Sequence, residues 1–500
     1  MTEPARGRGV RTFAMVGARG VLGLLGVGVA AVSVAAATWL PLPTVGTGAQ
    51  STAVIPVAAT QQRICAGPIL RLGDETGLEA TTAVSVGTAS VTSTSTEGTP
   101  RLEDMDSTQN ESNNPSQRLL LDPGPEGTAP GILAGSQSQF VESNEYVGFA
   151  ASECRKSSSD TWLVGGSTTT GRTTLLALSN PSKVSSTVSV EIFSENGGEE
   201  TSGTEGIVVP PGGQKVLSLA GFAPGIASPV VHVVSKGGQV TASLQQSIVR
   251  TLTPGGVDTF GATTRPSIFN VIPGVVISDQ ESVTASGGLN GYDDTAAVLR
   301  VFIPGTESTE VTVTAIPEGD ASPPTTTTLE VDEGVVTDIP LGNFAEGVWT
   351  FTIASDTPAV VAARTTAVTL DGDPAEVVTN GEDPIITNTD FAWFVAAPDL
   401  SGTALVSVAD GPNSVLHLVN TGPVDAVVTV DADEGAGTTV TVAAGRATAL
   451  PVAAGLSYTL GGFDSLRASV SYHDVGQLSG FVVSPPERAS QPVTVFYRFG

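Results

Sequence analysis

Leu176-Ala177-Leu178-Ser179-Asn180-Pro181 opens a stretch that continues through Val188-Ser189-Val190 and Val209-Pro210-Pro211-Gly212 to Leu217-Ser218-Leu219. Its skeleton returns as Leu299, Val301, Val311, Val313, Val331, Gly334, Ile339 and Leu341, and again as Leu416, Leu418, Val428, Val430, Val442, Gly445, Leu450 and Val452. Twelve residues separate Leu176 from Val188, Leu299 from Val311 and Leu416 from Val428. The Val-x-x-Gly step is also kept, as are the five residues from that Gly to the next apolar position. Only the turn before it changes length, as a surface loop between fixed strands does. Alternation with period two puts Leu176, Leu178, Val188 and Val190 on one buried face and their neighbours on a wet one. This pattern predicts an all-β chain of tandem two-sheet modules, each close to immunoglobulin-like size.

Working outward, the repeats divide the chain into β-sandwiches over 159–265, 266–385 and 386–500, preceded by an N-terminal β domain over 61–158. Asp390-Phe391-Ala392-Trp393 resembles the start of the first sandwich at Asp160-Thr161-Trp162, which sets the last boundary. Val231 to Ala242, with Gly237-Gly238 at its centre, reads as a hairpin with a Gly-Gly turn. With 58 Gly and 33 Pro among 500 residues, short strands joined by tight turns are favoured over long helices.

The start of the chain gives the location. Residues 1–20 form a basic tail with Arg6, Arg8, Arg11 and Arg19. Val21–Leu40 follows without a charge and is long enough to span a bilayer as a helix or signal anchor. Arginines on that flank hold it in the cytoplasm and place everything after Leu40 outside. Ala35-Ala36-Ala37 also fits a cleavage site, which leaves secretion as the alternative. Residues 41–60 then read as a linker.

Two cysteines, Cys65 and Cys154, lie on the outer side of this topology, where one disulfide is the simplest outcome and two free thiols the other. Such a bridge closes a long loop, worth on the order of 4 kcal/mol in the chain-entropy picture.

The remainder carries a strong acidic excess, net −28 for the whole chain, with no basic stripe, so nucleic acid is not an expected partner. Expected partners are the membrane, through Val21–Leu40, and an envelope polymer or protein. No catalytic, cofactor-binding or metal-binding motif is present. The three histidines, His232, His417 and His473, have no paired spacing, and alternation sets His232 and His417 on the wet faces of their strands. Acidic pairs at Asp293-Asp294, Asp371-Gly372-Asp373 and Asp431-Ala432-Asp433-Glu434 sit at strand ends, where calcium is one reading and plain turn acidity the other. Trp162, Trp349 and Trp393 fall on separate strands as core fillers.

The Cys65-Ala66-Gly67-Pro68 start resembles an actinobacterial domain-of-unknown-function family, number 5719. So do the second Cys before Asp160-Thr161-Trp162-Leu163-Val164-Gly165-Gly166, the Leu-Ser-Asn-Pro turn and the run from Ser235 to Gln246. That family usually has Cys-Pro-Gly-Pro where Cys-Ala-Gly-Pro stands here. The resemblance implies a membrane-anchored, exported envelope protein with no established activity and no catalytic residues to carry over. The expected arrangement is a membrane helix followed by a rod of sandwiches with a structural, adhesive or scaffolding role. A carbohydrate- or polymer-binding accessory factor is the alternative, and an exported hydrolase stands third.

Overall fold

The structure, a computed structural model, describes residues 50–54, 59–72, 83–107, 114–124, 131–199, 203–319, 322–342, 344–374, 383–433, 435–487 and 493–497. The 1–20 tail and Val21–Leu40 lie outside the described residues, and among those described no helix is long and apolar enough to cross a membrane. The fold is all-β, with one short α-helix, Gln280–Ser286, and one 3-10 turn, Leu219–Gly221, among the described residues. Two units divide the chain. In the smaller one, Gln50–Val54 pairs antiparallel with Val493–Tyr497, so the expected linker contains a strand and the last residues leave the third repeat.

Within residues 57–490 the three repeats share one strand order. In the first, Ser186–Ser194 carries the short strands Gly197–Glu199 and Ile207–Val209 on one side and Val230–Gly237 then Asp160–Val164 on the other. Its second sheet runs Gly213–Ser218, Arg172–Ser179, Thr241–Arg250, Thr253–Gly261. The second repeat orders Thr325–Val331, Thr309–Pro317, Gly347–Leu370 and Ser267–Ile277 in one sheet. Val336–Pro340, Val298–Phe302, the same Gly347–Leu370 and Ile386–Val395 form the other. In the third, Ser457–Asp474 plays the part of Gly347–Leu370 between Leu400–Ser407 and Gln477–Val482. Every skeleton position quoted from Leu176 to Val190, from Leu299 to Val313 and from Leu416 to Val430 is buried, as the alternation requires.

Two expectations need correction. Val230–Gly237 and Thr241–Arg250 do not pair with each other; each joins a different sheet. Gly237, with φ +90°, and Gly238, packed on Asn180 and Ser182, carry the chain across the core instead of turning it back. In the later repeats one unbroken strand bends across the same gap. Ile386–Val395 pairs with Gly347–Leu370, so it closes the second repeat and the third begins at Leu400.

The described residues of 61–158 form small sheets, and Asp106–Ser107 adds a parallel strand to the first repeat beside Gly213–Ser218. Cys65 and Cys154 are joined, S–S 2.01 Å, and packed with Leu119, Leu121 and Leu133.

Candidate functional site

Four strands that each hydrogen-bond to a single neighbour in their own sheet converge within residues 57–490: Val147–Glu153, Thr253–Gly261, Ile386–Val395 and Gln477–Val482. An edge strand presents unpaired N–H and C=O groups that must be covered. Here side chains do it. Asp390 accepts from the backbone N–H of Phe149 at 2.8 Å, of Leu478 at 3.0 Å and of Val257 at 3.1 Å, one from each of the other three strands. Asp258 accepts from Trp393 N–H at 2.8 Å and from the Ser479 hydroxyl at 3.0 Å. Ser479 Oγ in turn accepts from Ala151 N–H at 2.8 Å.

Both carboxylates are fully buried. Gly148, at φ +143°, lies so close that a Cβ there would sit 2.5 Å from Asp390 Oδ1. Burial raises the Asp258 carboxyl to about 7 against the pull of the Trp393, Ser479 and Thr259 hydrogen bonds. Burial likewise raises Asp390, opposed by its three N–H donors and reinforced by the nearby charge of Asp258.

A second junction joins the second and third repeats. The strand Ser267–Ile277 bulges between Ile272 and Val275, and the extra residues Pro273-Gly274 press on His417. Gly274 has φ +70°, and a Cβ there would lie 2.4 Å from His417 Cδ2. Ser469 Oγ donates to Pro273 O at 3.0 Å. Gly274 N–H donates to Glu318 Oε1 at 3.1 Å, and Thr350 Oγ1 to the same oxygen at 2.5 Å. Glu318 Oε2 lies 2.6 Å from His417 Nδ1, and His417 Nε2 lies 2.7 Å from Ser471 Oγ. Burial alone would raise Glu318, but the His417 charge and the hydrogen bonds from His417, Thr350 and Gly274 hold it below the usual range. An ionised Glu318 accepts from Nδ1, and Nε2 on the far side of the ring meets the Ser471 hydroxyl.

His417 is therefore not on a wet face. Its ring and the Glu318 carboxylate are 0% exposed and Ser471 is 3% exposed. The connectivity is that of a nucleophile, base and orienting acid. The bulge of the second repeat covers it.

The other histidines lie apart. His232 stacks on Trp162 at 4.1 Å, its ring nitrogens 2.8 Å from Glu191 and 3.0 Å from Asp160. His473 ends a strand, its carbonyl accepting from Asn413. Asp293 and Asp294 pair with Arg172 at 3.2 and 3.0 Å, and Asp294 also with Arg250, so arginine and not an open cation site faces them. Trp393 is fully buried, with the Arg300 guanidinium 4.7 Å from its ring. Among the described residues no group of three or more His, Cys, Asp or Glu side chains is placed to hold a metal ion.

Glu318, Ser471, Asp258, Asp390 and Ser479 were not singled out by sequence. A signal existed for one of them: Asp390 stands directly ahead of the apolar run Phe391-Ala392-Trp393-Phe394-Val395.

These features define an all-β protein of three like repeats welded through buried polar junctions. The profile of a family of unknown function, DUF5719, matches residues 105–453, and the chain belongs to that family. No curated protein matches. Among solved structures, the crystal structure of Thermotoga maritima 1070 is similar at 15% identity over 26% of this chain and 95% of that one, with a TM-score of 0.18. A score that low carries no argument about this chain.

Proposed function

We propose that the chain is a membrane-anchored, extracytoplasmic cell-envelope protein with a structural, adhesive or scaffolding role and no catalysis. The observation that carries this reading is the burial of the Ser471–His417–Glu318 array beneath the Pro273-Gly274 bulge. A nucleophile must come within about 3 Å of a reacting atom, and here that space is protein. The array serves to lock one repeat to the next. Two facing sheets per repeat support tandem immunoglobulin-like sandwiches. The Cys65–Cys154 bridge and the apolar Val21–Leu40 segment support anchorage with the bulk of the chain in an oxidising compartment, secretion after cleavage being the alternative.

A polymer-binding accessory role has one observation in its favour. A cleft of about 910 Å³ on the second repeat is lined by Phe344, which lies 5.1 Å from the Trp349 ring. Labelling intact producer cells with a membrane-impermeant amine reagent tests the location. Modification of Lys183, Lys215 or Lys236 is expected; labelling only after lysis overturns the placement.

A further inference from the structure

We propose that the cleft between Arg155, Lys156, Thr241 and Arg265 is a binding site for an oxyanion, the carboxylate or phosphate group of a ligand. The site lies where the end of the N-terminal domain meets the first repeat, and the inference goes beyond the scaffold reading and does not depend on where the chain resides. The chain carries net −28 and only four lysines, yet this cleft of about 190 Å³ gathers one of them with two arginines. Among the described residues the carboxylates paired with the three cations stand no closer than 3.6 Å. Arg155 Nε stands 3.8 Å from Glu153, whose oxygens are already taken by Ser484 N–H at 2.9 Å and Ser484 Oγ at 2.6 Å. Lys156 Nζ is 3.6 Å from Glu487, and Arg265 Nε is 3.8 Å from Asp160.

Arg300–Asp338 closes to 2.8 Å and Arg172–Asp294 to 3.0 Å, whereas Arg364–Asp294 and Arg467–Asp399 stand at 3.8 Å outside this cleft. Charge-assisted hydrogen bonds normally form at about 2.7–2.9 Å, so the cations around this cleft have donor capacity in reserve. Arg155 is the telling member. Its side chain is 19% exposed, and a guanidinium withdrawn from water without a tight partner is costly. Burial pulls it below the ordinary arginine range, with Glu153 only partly offsetting that. One guanidinium nitrogen donates to Ala262 O, which fixes the head at the cleft wall. Thr241 Oγ1, on the same wall, is buried without a hydrogen-bond partner. Asp160, the one acid on the wall, is held through Oδ1 by His232 Nε2 at 3.0 Å.

The test is calorimetric titration of the full-length protein with inorganic phosphate and, separately, with acetate. Sodium chloride at matched ionic strength is the control. Binding of phosphate or of acetate above the chloride control is expected, and which of the two binds tells a phosphate-bearing ligand from a carboxylate-bearing one. The double variant Lys156→Ala/Arg265→Ala removes exposed side chains, 55% and 69% accessible, and so leaves the fold intact. It should weaken binding about tenfold or more, the factor that one charge-assisted contact supplies. Arg155→Met should abolish it. No binding above chloride by the native protein overturns the proposal, and so does undiminished binding by the double variant. Should Arg155→Met fail to fold, the double variant alone decides.

Discussion

The column at Asp390 and the lock at His417 do the same task with opposite electrostatics. Both join strands of different repeats, and both use side chains that are wholly buried. At the column, carboxylates meet backbone N–H dipoles and a hydroxyl, with no cation in the hydrogen-bonded set. At the lock, a carboxylate meets an imidazole as well as a backbone N–H and a hydroxyl. Burial therefore wins at Asp258 and Asp390 and raises both, whereas the partner wins at Glu318 and lowers it. Burial raises a carboxyl that faces only backbone N–H groups and hydroxyls, and a charged partner such as His417 reverses the outcome.

The largest expected effect comes from breaking the column. Asp390→Ala leaves the N–H groups of Phe149, Val257 and Leu478 without an acceptor in the interior. At about 1–3 kcal/mol for each unpaired group, a loss on the order of 5 kcal/mol is expected in urea unfolding. Asp390→Asn retains one acceptor oxygen and should lose less. Equal losses in the two variants would mean that the hydrogen bonds are not what joins the strands.

Breaking the lock ranks next. His417→Ala strands Glu318 in a dry site and should cost about 3–5 kcal/mol, the usual effect of removing one partner of a buried pair. Replacing both groups by apolar ones, His417→Phe with Glu318→Leu, should recover most of that. A double variant as weak as the single one would sink the comparison, because the lock would then be needed as a polar network.

Acidity separates the two junctions with opposite signs. Asp258 binds its proton more tightly folded, at about 7, than unfolded, near 3.8, so its contribution is complete below the lower value. That contribution is lost as pH rises through the upper value, at about 1.4 kcal/mol per pH unit within the window. Glu318 runs the other way: its contribution is present above the ordinary glutamate range and lost as pH falls through its depressed folded value. Asp258→Asn should therefore flatten the decline of stability between about pH 4 and 7. Glu318→Gln should leave that decline in place, lower stability throughout the neutral range and remove only the slope at the acid end. Chemical unfolding from about pH 2 to 8 reads both slopes.

Much of the fold was legible because each repeat buries its own face. Leu176, Leu299 and Leu416 are all fully buried, and period-two alternation depends only on which side of a sheet faces its partner sheet. The junctions were not legible for the same reason. His417 alternates correctly with Leu416 and Leu418, yet its face is covered by a bulge that lies more than a hundred residues earlier in the chain. Alternation carries no information about what another repeat lays over the outer face. The Gly237-Gly238 pair misled in a related way: glycines permit a turn, but the pairing partners of the flanking segments decide whether it folds back or crosses.

Ser471→Ala removes one hydroxyl from the His417 ring and leaves the Glu318 pair untouched. As part of a lock, that hydroxyl is worth about 1 kcal/mol, a modest shift in the urea midpoint. As a nucleophile, it would be worth the whole of any hydrolytic rate. Native protein and the Ser471→Ala variant should therefore give the same residual rate on a chromogenic acetate ester, with only the midpoint moved. A rate that falls with the hydroxyl would mean the Pro273-Gly274 bulge lifts away in solution, and the third repeat would then hold a working centre in place of a fastening.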